Sequence, residues 1–247
     1  MVKTYHIILE YVGTKFVGWQ MQKNGLSVQE ILQKYLKKIT KEKIIVHGSG
    51  RTDAGVHAHG QSAHFKMKYS IKDKKNFIKS LNFFLSKYEV SILNIKKVND
   101  SFHARYSAKK RKYKYLIINR QSALTFEKNK AWHLRKKLNI NLMKKGGIIL
   151  LGTKDFSTFR ASSCSANSPI KTLDKKNIKK LKDKIEIVFI SKSFLQQQVR
   201  SMVGCLKYLG EKKWTIKQFR EVMISKKREK CAPPAPACGL YLYEVKY

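Results

Sequence analysis

The sequence predicts an α+β protein of two halves, each with the βαββαβ order of a ferredoxin-like sheet, and three observations predict it. Apolar residues recur at a period of two in some stretches and at helical spacing in others. The alternation of these two patterns runs through nearly the same order twice. Finally, 43% of the 247 residues are hydrophobic, which is enough to bury the core of one large domain or two small ones.

In the first half, Tyr5, Ile7, Leu9 and Tyr11 sit at the period of a half-buried strand. A loop marked by Gly13, Gly18 and Gly25 follows. Ser27 and Glu30 form a Ser-x-x-Glu capping box ahead of Val28, Ile31, Leu32, Tyr35, Leu36 and Ile39, which make one apolar helix stripe. Ile44 to Val46 and Ala63 to Met67 read as strands, Asp73 to Ser86 as a helix over Phe77, Leu81 and Phe84, and Val90 to Val98 as a closing strand.

The second half opens with a strand from Arg111 to Asn119 and a helix over Leu138 to Leu151. Strands are expected near Phe156 to Arg160 and Lys184 to Ile190. Val199, Met202, Val203 and Leu206 mark a helix, Ile216, Phe219 and Val222 a shorter one, and Leu240 to Val245 the last strand. The boundary falls near Ser101 to Lys110, dividing the chain into domains 1–105 and 106–247 with a cleft between repeated halves as the expected site.

Fifty-three Lys and Arg against sixteen Asp and Glu give a formal charge of +37. Nine of the cations are Arg and forty-four Lys, a ratio that A/T-rich coding alone also produces. Whatever its origin, such a field attracts polyanions. No stretch approaches the roughly 20 apolar residues of a membrane span, and no signal peptide precedes the first strand, so a cytoplasmic protein is expected. Cys164, Cys205, Cys231 and Cys238 contain no Cys-x-x-Cys pair and are expected as reduced thiols. The Pro233-Pro234-Ala235-Pro236 stretch reads as a rigid turn into the last strand.

The segment from His47 to Gly60 departs from both periods and is read as a loop between strands. Its glycines permit positive φ or close backbone approach, and Arg51, Thr52 and Asp53 set a cation, a hydroxyl and a carboxylate side by side. An Asx-turn in an ordinary loop is the plain alternative. His47, His57, His59 and His64 lack the close Cys or carboxylate partners of a tetrahedral zinc site, so no metal is expected.

Gly50-Arg51-Thr52-Asp53-Ala54-Gly55-Val56-His57-Ala58 resembles the signature of the TruA family of tRNA pseudouridine synthases. Further matches follow in the family's order: Gly18-Trp19-Gln20, Phe102-His103-Ala104-Arg105, Arg111-Lys112-Tyr113-Lys114-Tyr115, Asp155-Phe156-Ser157-Thr158-Phe159-Arg160, Phe194-Leu195 with Val199-Arg200, and Ala232-Pro233 with Gly239-Leu240-Tyr241-Leu242. Val12, where the family usually has Asp, and Gln197-Gln198 depart from the pattern.

The resemblance implies a pseudouridine synthase fold with a central cleft, acting as a homodimer on tRNA. The reaction implied is isomerisation of uridine to pseudouridine at positions 38, 39 and 40 of the anticodon stem-loop, without cofactor or metal. Asp53 matches the catalytic aspartate, which needs a carboxylate at the sugar as nucleophile or base. Tyr113 matches the active-site tyrosine, stacking on uracil and taking the C5 proton. Arg200 matches the arginine that pairs with the aspartate. Arg51 matches the residue that enters the base stack when the target leaves, and Leu240 one that lines the uracil pocket. Taken alone, Tyr113 and Leu240 would be core residues and Arg200 a solvated one. The rival readings are a non-catalytic RNA-binding module of paired sheets, which leaves the Arg51-Thr52-Asp53 loop unexplained, and a pseudouridine synthase aimed at another RNA.

Overall fold

The computed structural model describes residues 2–247. In chain order it contains β1 (Lys3–Tyr11), α1 (Val28–Thr40), β2 (Val46–Gly48), β3 (His57–Met67), α2 (Lys74–Leu85), β4 (Val90–Val98) and β5 (Lys110–Asn119). There follow β6 (Trp132–Leu134), α3 (Ile140–Ile149), β7 (Gly152–Asp155), β8 (Ile170–Leu181), β9 (Lys184–Ser191), α4 (Gln198–Gly210), α5 (Ile216–Ile224) and β10 (Leu240–Lys246). The expected α+β class is the observed one. No described helix is long and apolar enough to cross a membrane.

The chain divides into two compact units, one of residues 1–109 with 241–247 and one of residues 110–240. In the first, β1 lies antiparallel between β3 and β4, with Tyr5 opposite Phe65 and Ile7 opposite Ile95. One edge of β3 serves two partners: β2 pairs antiparallel with residues 63–65, and β10 runs parallel to His57 and Ala58. Tyr5, Ile7, Leu9, Phe65 and the α1 residues Val28, Ile31, Leu32 and Leu36 are all buried, so the amphipathic stripe of α1 covers the sheet as its spacing predicts. Ser27 caps α1 by accepting from the Glu30 N–H at 3.2 Å.

The expectation of a half-buried first strand is corrected. Thr4 and His6, on the opposite face of β1 from Tyr5, are also buried. That face is closed by Phe102 and Tyr247, whose rings lie 4.9 and 5.1 Å from the His6 ring. His6 Nε2 meets Ser62 Oγ at 2.6 Å and Thr4 donates to Asp100 at 2.9 Å, while His6 Nδ1 is buried without a hydrogen-bond partner.

In the second unit the strand order is β5-β9-β8-β7, with β6 pairing on β5. The chain order β5-α3-β8-β9-α4-β10 repeats β1-α1-β2-β3-α2-β4, and β6, β7 and α5 are additions to it. The strand expected at Phe156 to Arg160 is instead a 3-10 turn at Ser157–Phe159, where the Asp155 carboxylate accepts from the Ser157 N–H at 2.9 Å and from its hydroxyl at 2.6 Å. Those bonds turn the backbone out of extension, and the strand ends at Asp155. The capping box expected at Ser27 and Glu30 is half made, since Ser27 accepts from the Glu30 N–H without a returned bond, whereas Thr215 and Gln218 make a reciprocal box that opens α5. Residues 241–247 close the second repeat in order, yet they cluster with the first unit.

Candidate active site

The expected loop from His47 to Gly60 is shorter than it reads, because β2 extends through Gly48 and β3 begins at His57. Residues 49–56 remain, and almost every one of them is tied down. Ser49 N–H donates to Ser62 O at 2.7 Å, and Ser49 Oγ donates to Gln61 Oε1 at 2.9 Å. Gln61, fully buried on β3, donates its amide to Gly50 O at 3.0 Å. The Thr52 hydroxyl meets Tyr11 Oη at 2.8 Å, and Thr52 O accepts from the Trp19 N–H at 3.1 Å. Burial pushes the Tyr11 hydroxyl up to about 12, with the Thr52 and Gln61 bonds pulling against it, so it stays protonated at neutral pH.

Asp53 opens a four-residue turn, its carbonyl accepting from the Val56 N–H at 3.2 Å, with Gly55 at φ 77 in the third position. Gly55 N–H donates back to Phe16 O at 3.3 Å. The partner loop approaches so closely that only glycine fits. A Cβ at Gly13 would lie 2.0 Å from Val56 O, and one at Gly18, which has φ 113, would lie 2.5 Å from Thr52 O. Asp53 is therefore half-buried on a loop clamped from both sides, and Arg51 on the same loop is exposed.

The histidines beside this loop are spoken for. His57 Nδ1 accepts from the Gly13 N–H at 2.9 Å, and His64 Nδ1 from the Ala104 N–H at 3.1 Å. His57 and His59 both stack on Tyr241, with ring centroids 4.8 and 5.1 Å away. Among the described residues no group of three or more His, Cys, Asp or Glu is arranged to hold a metal ion.

Tyr113, Arg200 and Leu240 belong to the second unit, whereas Asp53 and Arg51 belong to the first. Tyr113 lies on β5 opposite Phe189 of β9, buried, with its ring edge-on to Phe194 at 5.2 Å. Alternation sets Tyr115 on the same strand face. The Tyr115 hydroxyl donates to Pro236 O at 2.7 Å, and burial holds it far above the ordinary tyrosine range, against the pull of Arg200.

Arg200 stands in the first turn of α4 and is tied to the segment leading into β10. Its Nε donates to Ala235 O at 2.7 Å, while its own carbonyl accepts from the Ala235 N–H at 3.0 Å. Five residues after Ala235, buried Leu240 starts β10. The proline-rich stretch thus acts as a strap, fastened to α4 through Ala235 and to β5 through Pro236, and it sets the positions of both Arg200 and Leu240.

Of the departures from the family pattern, Gln197 and Gln198 shape the start of α4. Gln197 caps α4 with φ 60, and buried Gln198 turns its side-chain oxygen back to accept from the Leu195 N–H at 2.8 Å. Val12 donates its N–H to Glu89 O at 3.0 Å. From the sequence, Gly13 and Gly18 read only as loop glycines and Tyr11 only as a strand position, and Gln61 was not singled out. For Gln61 the one readable signal was its pairing with Ser62 as two polar residues in a row within a strand.

Residues 7–107 and 148–247 match the tRNA pseudouridine synthase family. The chain is 58% identical over 243 residues to the tRNA pseudouridine synthase A of Pelagibacter ubique, covering 98% of this chain and 99% of that protein. It is 43% identical over 244 residues to the protein of the same name from Methylocella silvestris, and 42% identical over 243 residues to that from Parvibaculum lavamentivorans, covering 98% of each chain in both cases.

Proposed function

This chain belongs to the tRNA pseudouridine synthase family, and from that premise we propose that it isomerises uridine to pseudouridine at positions 38, 39 and 40 in the anticodon stem-loop of tRNA. The observation that carries this reading is a family match that takes in the Gly50 to Ala58 loop in one half and the Val199-Arg200 and Leu240 segments in the other.

The reaction breaks N1–C1′, forms C5–C1′, removes the C5 proton and returns a proton to N1. It is redox-neutral, and side chains suffice for it. In this reading Asp53 supplies the carboxylate at the sugar, as nucleophile at C1′ or as base. The clamped loop supports that role, since a reacting group must be held within a fraction of an ångström. Tyr113 stacks on uracil and takes the C5 proton, and Leu240 forms the apolar wall of the base pocket. Arg200 keeps the carboxylate ionised and aimed, its guanidinium orientation fixed by Ala235. Arg51, exposed on the same loop as Asp53, fills the stack once the target base has left it. The protein works in the cytoplasm as a homodimer, with one tRNA held by both subunits.

Asp53→Asn tests the assignment, because it keeps size and hydrogen bonding and removes the charge. Near-normal tRNA affinity with no pseudouridine formed in a single-turnover assay is the expected result. Conversion at the wild-type rate would falsify the catalytic role of Asp53, and pseudouridine mapped outside positions 38 to 40 would redirect the substrate.

A further inference from the structure

Helix α4 and the residues just ahead of the strap meet at a pair of thiols. Cys205 Sγ and Cys231 Sγ are 3.4 Å apart. The backbones around them are already held together: Ala235 is bonded to Arg200 in both directions, and a Cβ at Gly204 would lie 2.1 Å from Pro233 O. Bringing the sulfurs to a bond length of about 2.05 Å therefore needs side-chain movement of little more than an ångström.

The two thiols differ in access and in surroundings. Cys205 is fully buried, whereas Cys231 is half-buried. Around Cys231 lie two side chains, Ser201 and Arg228, whose buried Oγ and Nη1 find no partner other than its sulfur. Both side chains bear on its sulfur, and together with a hydrogen bond from Cys205, the largest influence, they hold the Cys231 thiol below its ordinary range against the effect of burial. Cys205 is pushed the other way, first by its bond to Cys231 and then by burial. A buried donor without an acceptor is costly, and an anionic sulfur is the acceptor both are placed to serve.

We propose that Cys205 and Cys231 are a peroxide-reactive pair that forms a reversible disulfide, with Cys231 the sulfur attacked by a hydroperoxide and Cys205 the sulfur that resolves it. In the first step the Cys231 thiolate attacks the O–O bond of hydrogen peroxide, giving Cys231–SOH and releasing hydroxide. In the second, Cys205 attacks that sulfur, the S–O bond breaks, and the thiol proton and hydroxyl leave as water. Overall two thiols are oxidised and one peroxide is reduced to two waters. A thiol reductant restores the pair. This chemistry is independent of the isomerase reading.

The test treats the full-length protein with hydrogen peroxide and maps disulfides by mass spectrometry of non-reduced peptides, with dimedone to trap sulfenic acid. The wild type should yield a peptide pair joining Cys205 to Cys231 that disappears on treatment with dithiothreitol. Cys205→Ala should accumulate a dimedone adduct on Cys231, and Cys231→Ala should leave Cys205 unlabelled. No Cys205–Cys231 crosslink in the wild type would overturn the proposal, whether the thiols stay reduced or oxidation settles on Cys164 or Cys238. A dimedone adduct on Cys205 in Cys231→Ala would overturn the assigned order of attack.

Discussion

Asp53 takes its position from its neighbours. Thr52 is fixed by its carbonyl and by its hydroxyl, and Val56 closes the turn behind. Gly18→Ala disturbs this at one point, adding a methyl where φ is 113 and the Thr52 carbonyl is in the way. A shift of the loop by about 1 Å should cost on the order of 10²-fold in single-turnover pseudouridine formation with tRNA binding retained. A wild-type rate would mean that the clamp does not set the carboxylate. His64 carries a second prediction, about pH. Burial first, then His103, His47 and Lys66, lower it from 6.5 to about 4, and burial and Lys96 lower His6 similarly. Between those pH values the unfolded chain binds protons that the folded chain refuses, so stability is full above pH 6.5 and falls as pH drops toward 4. The urea midpoint should fall between pH 7 and pH 5, and His64→Asn, which keeps an acceptor for Ala104, should flatten that fall. The loop that carries Asp53 was legible because it breaks both hydrophobic periods, whereas the role proposed for Asp53 comes from the family resemblance. Tyr11 and Gln61 were not legible, since a tyrosine or glutamine in a strand gives no sign of which loop its polar end will hold.

At the scale of elements, α1 shows how much local pattern can carry: its stripe and its serine cap are both where the spacing puts them. Strand β8 shows where pattern fails. Its buried residues are Leu173 and Ile178, an odd number of positions apart, which a regular strand would turn to opposite faces. A register shift between Leu173 and Lys175 absorbs one residue and restores both to the core face. With lysines at five of the other ten positions, no alternation survives in the sequence to be read. The strap was likewise legible only as a rigid turn, because its value lies in carbonyls that any residue possesses. It does separate two tyrosines of one strand face. Tyr115→Phe removes the bond to Pro236 O and should cost about 1 kcal/mol of stability by urea unfolding. Tyr113→Phe should leave tRNA affinity nearly unchanged while abolishing most product formation. Normal turnover by Tyr113→Phe would assign the C5 proton to another group and leave stacking as the role of the ring.

For the whole molecule, the charge of +37 has few internal outlets, since only sixteen acidic residues are available to neutralise it. The ion pairs that do form are mostly on the surface, and such pairs are worth little. If the excess serves phosphate contacts, a protein making 6 to 10 of them should lose roughly 10³ to 10⁵ in tRNA affinity between 50 and 200 mM salt. A flat salt dependence measured by filter binding would make the lysines a mark of coding composition. The α+β class and the repeated order were visible in the sequence. The grouping of residues 241–247 with the first unit was not, because strand pairing across the length of a chain leaves no local trace.

That grouping bears on how the protein is made. The first unit shares β3 with a strand translated only after residues 110–240 have followed it. While the chain is still on the ribosome, His57 and Ala58 lack their parallel neighbour, and Ser62 and Ala104 lack the Tyr247 hydroxyl that bonds to both. Contacts so distant in sequence form slowly, because the loop between them must close first. The amino-terminal unit, first to emerge, is therefore the last to finish. In pulsed hydrogen exchange during refolding, the amides of β9 should gain protection before those at the start of β3, and the reverse order would show that the first unit folds without its final strand.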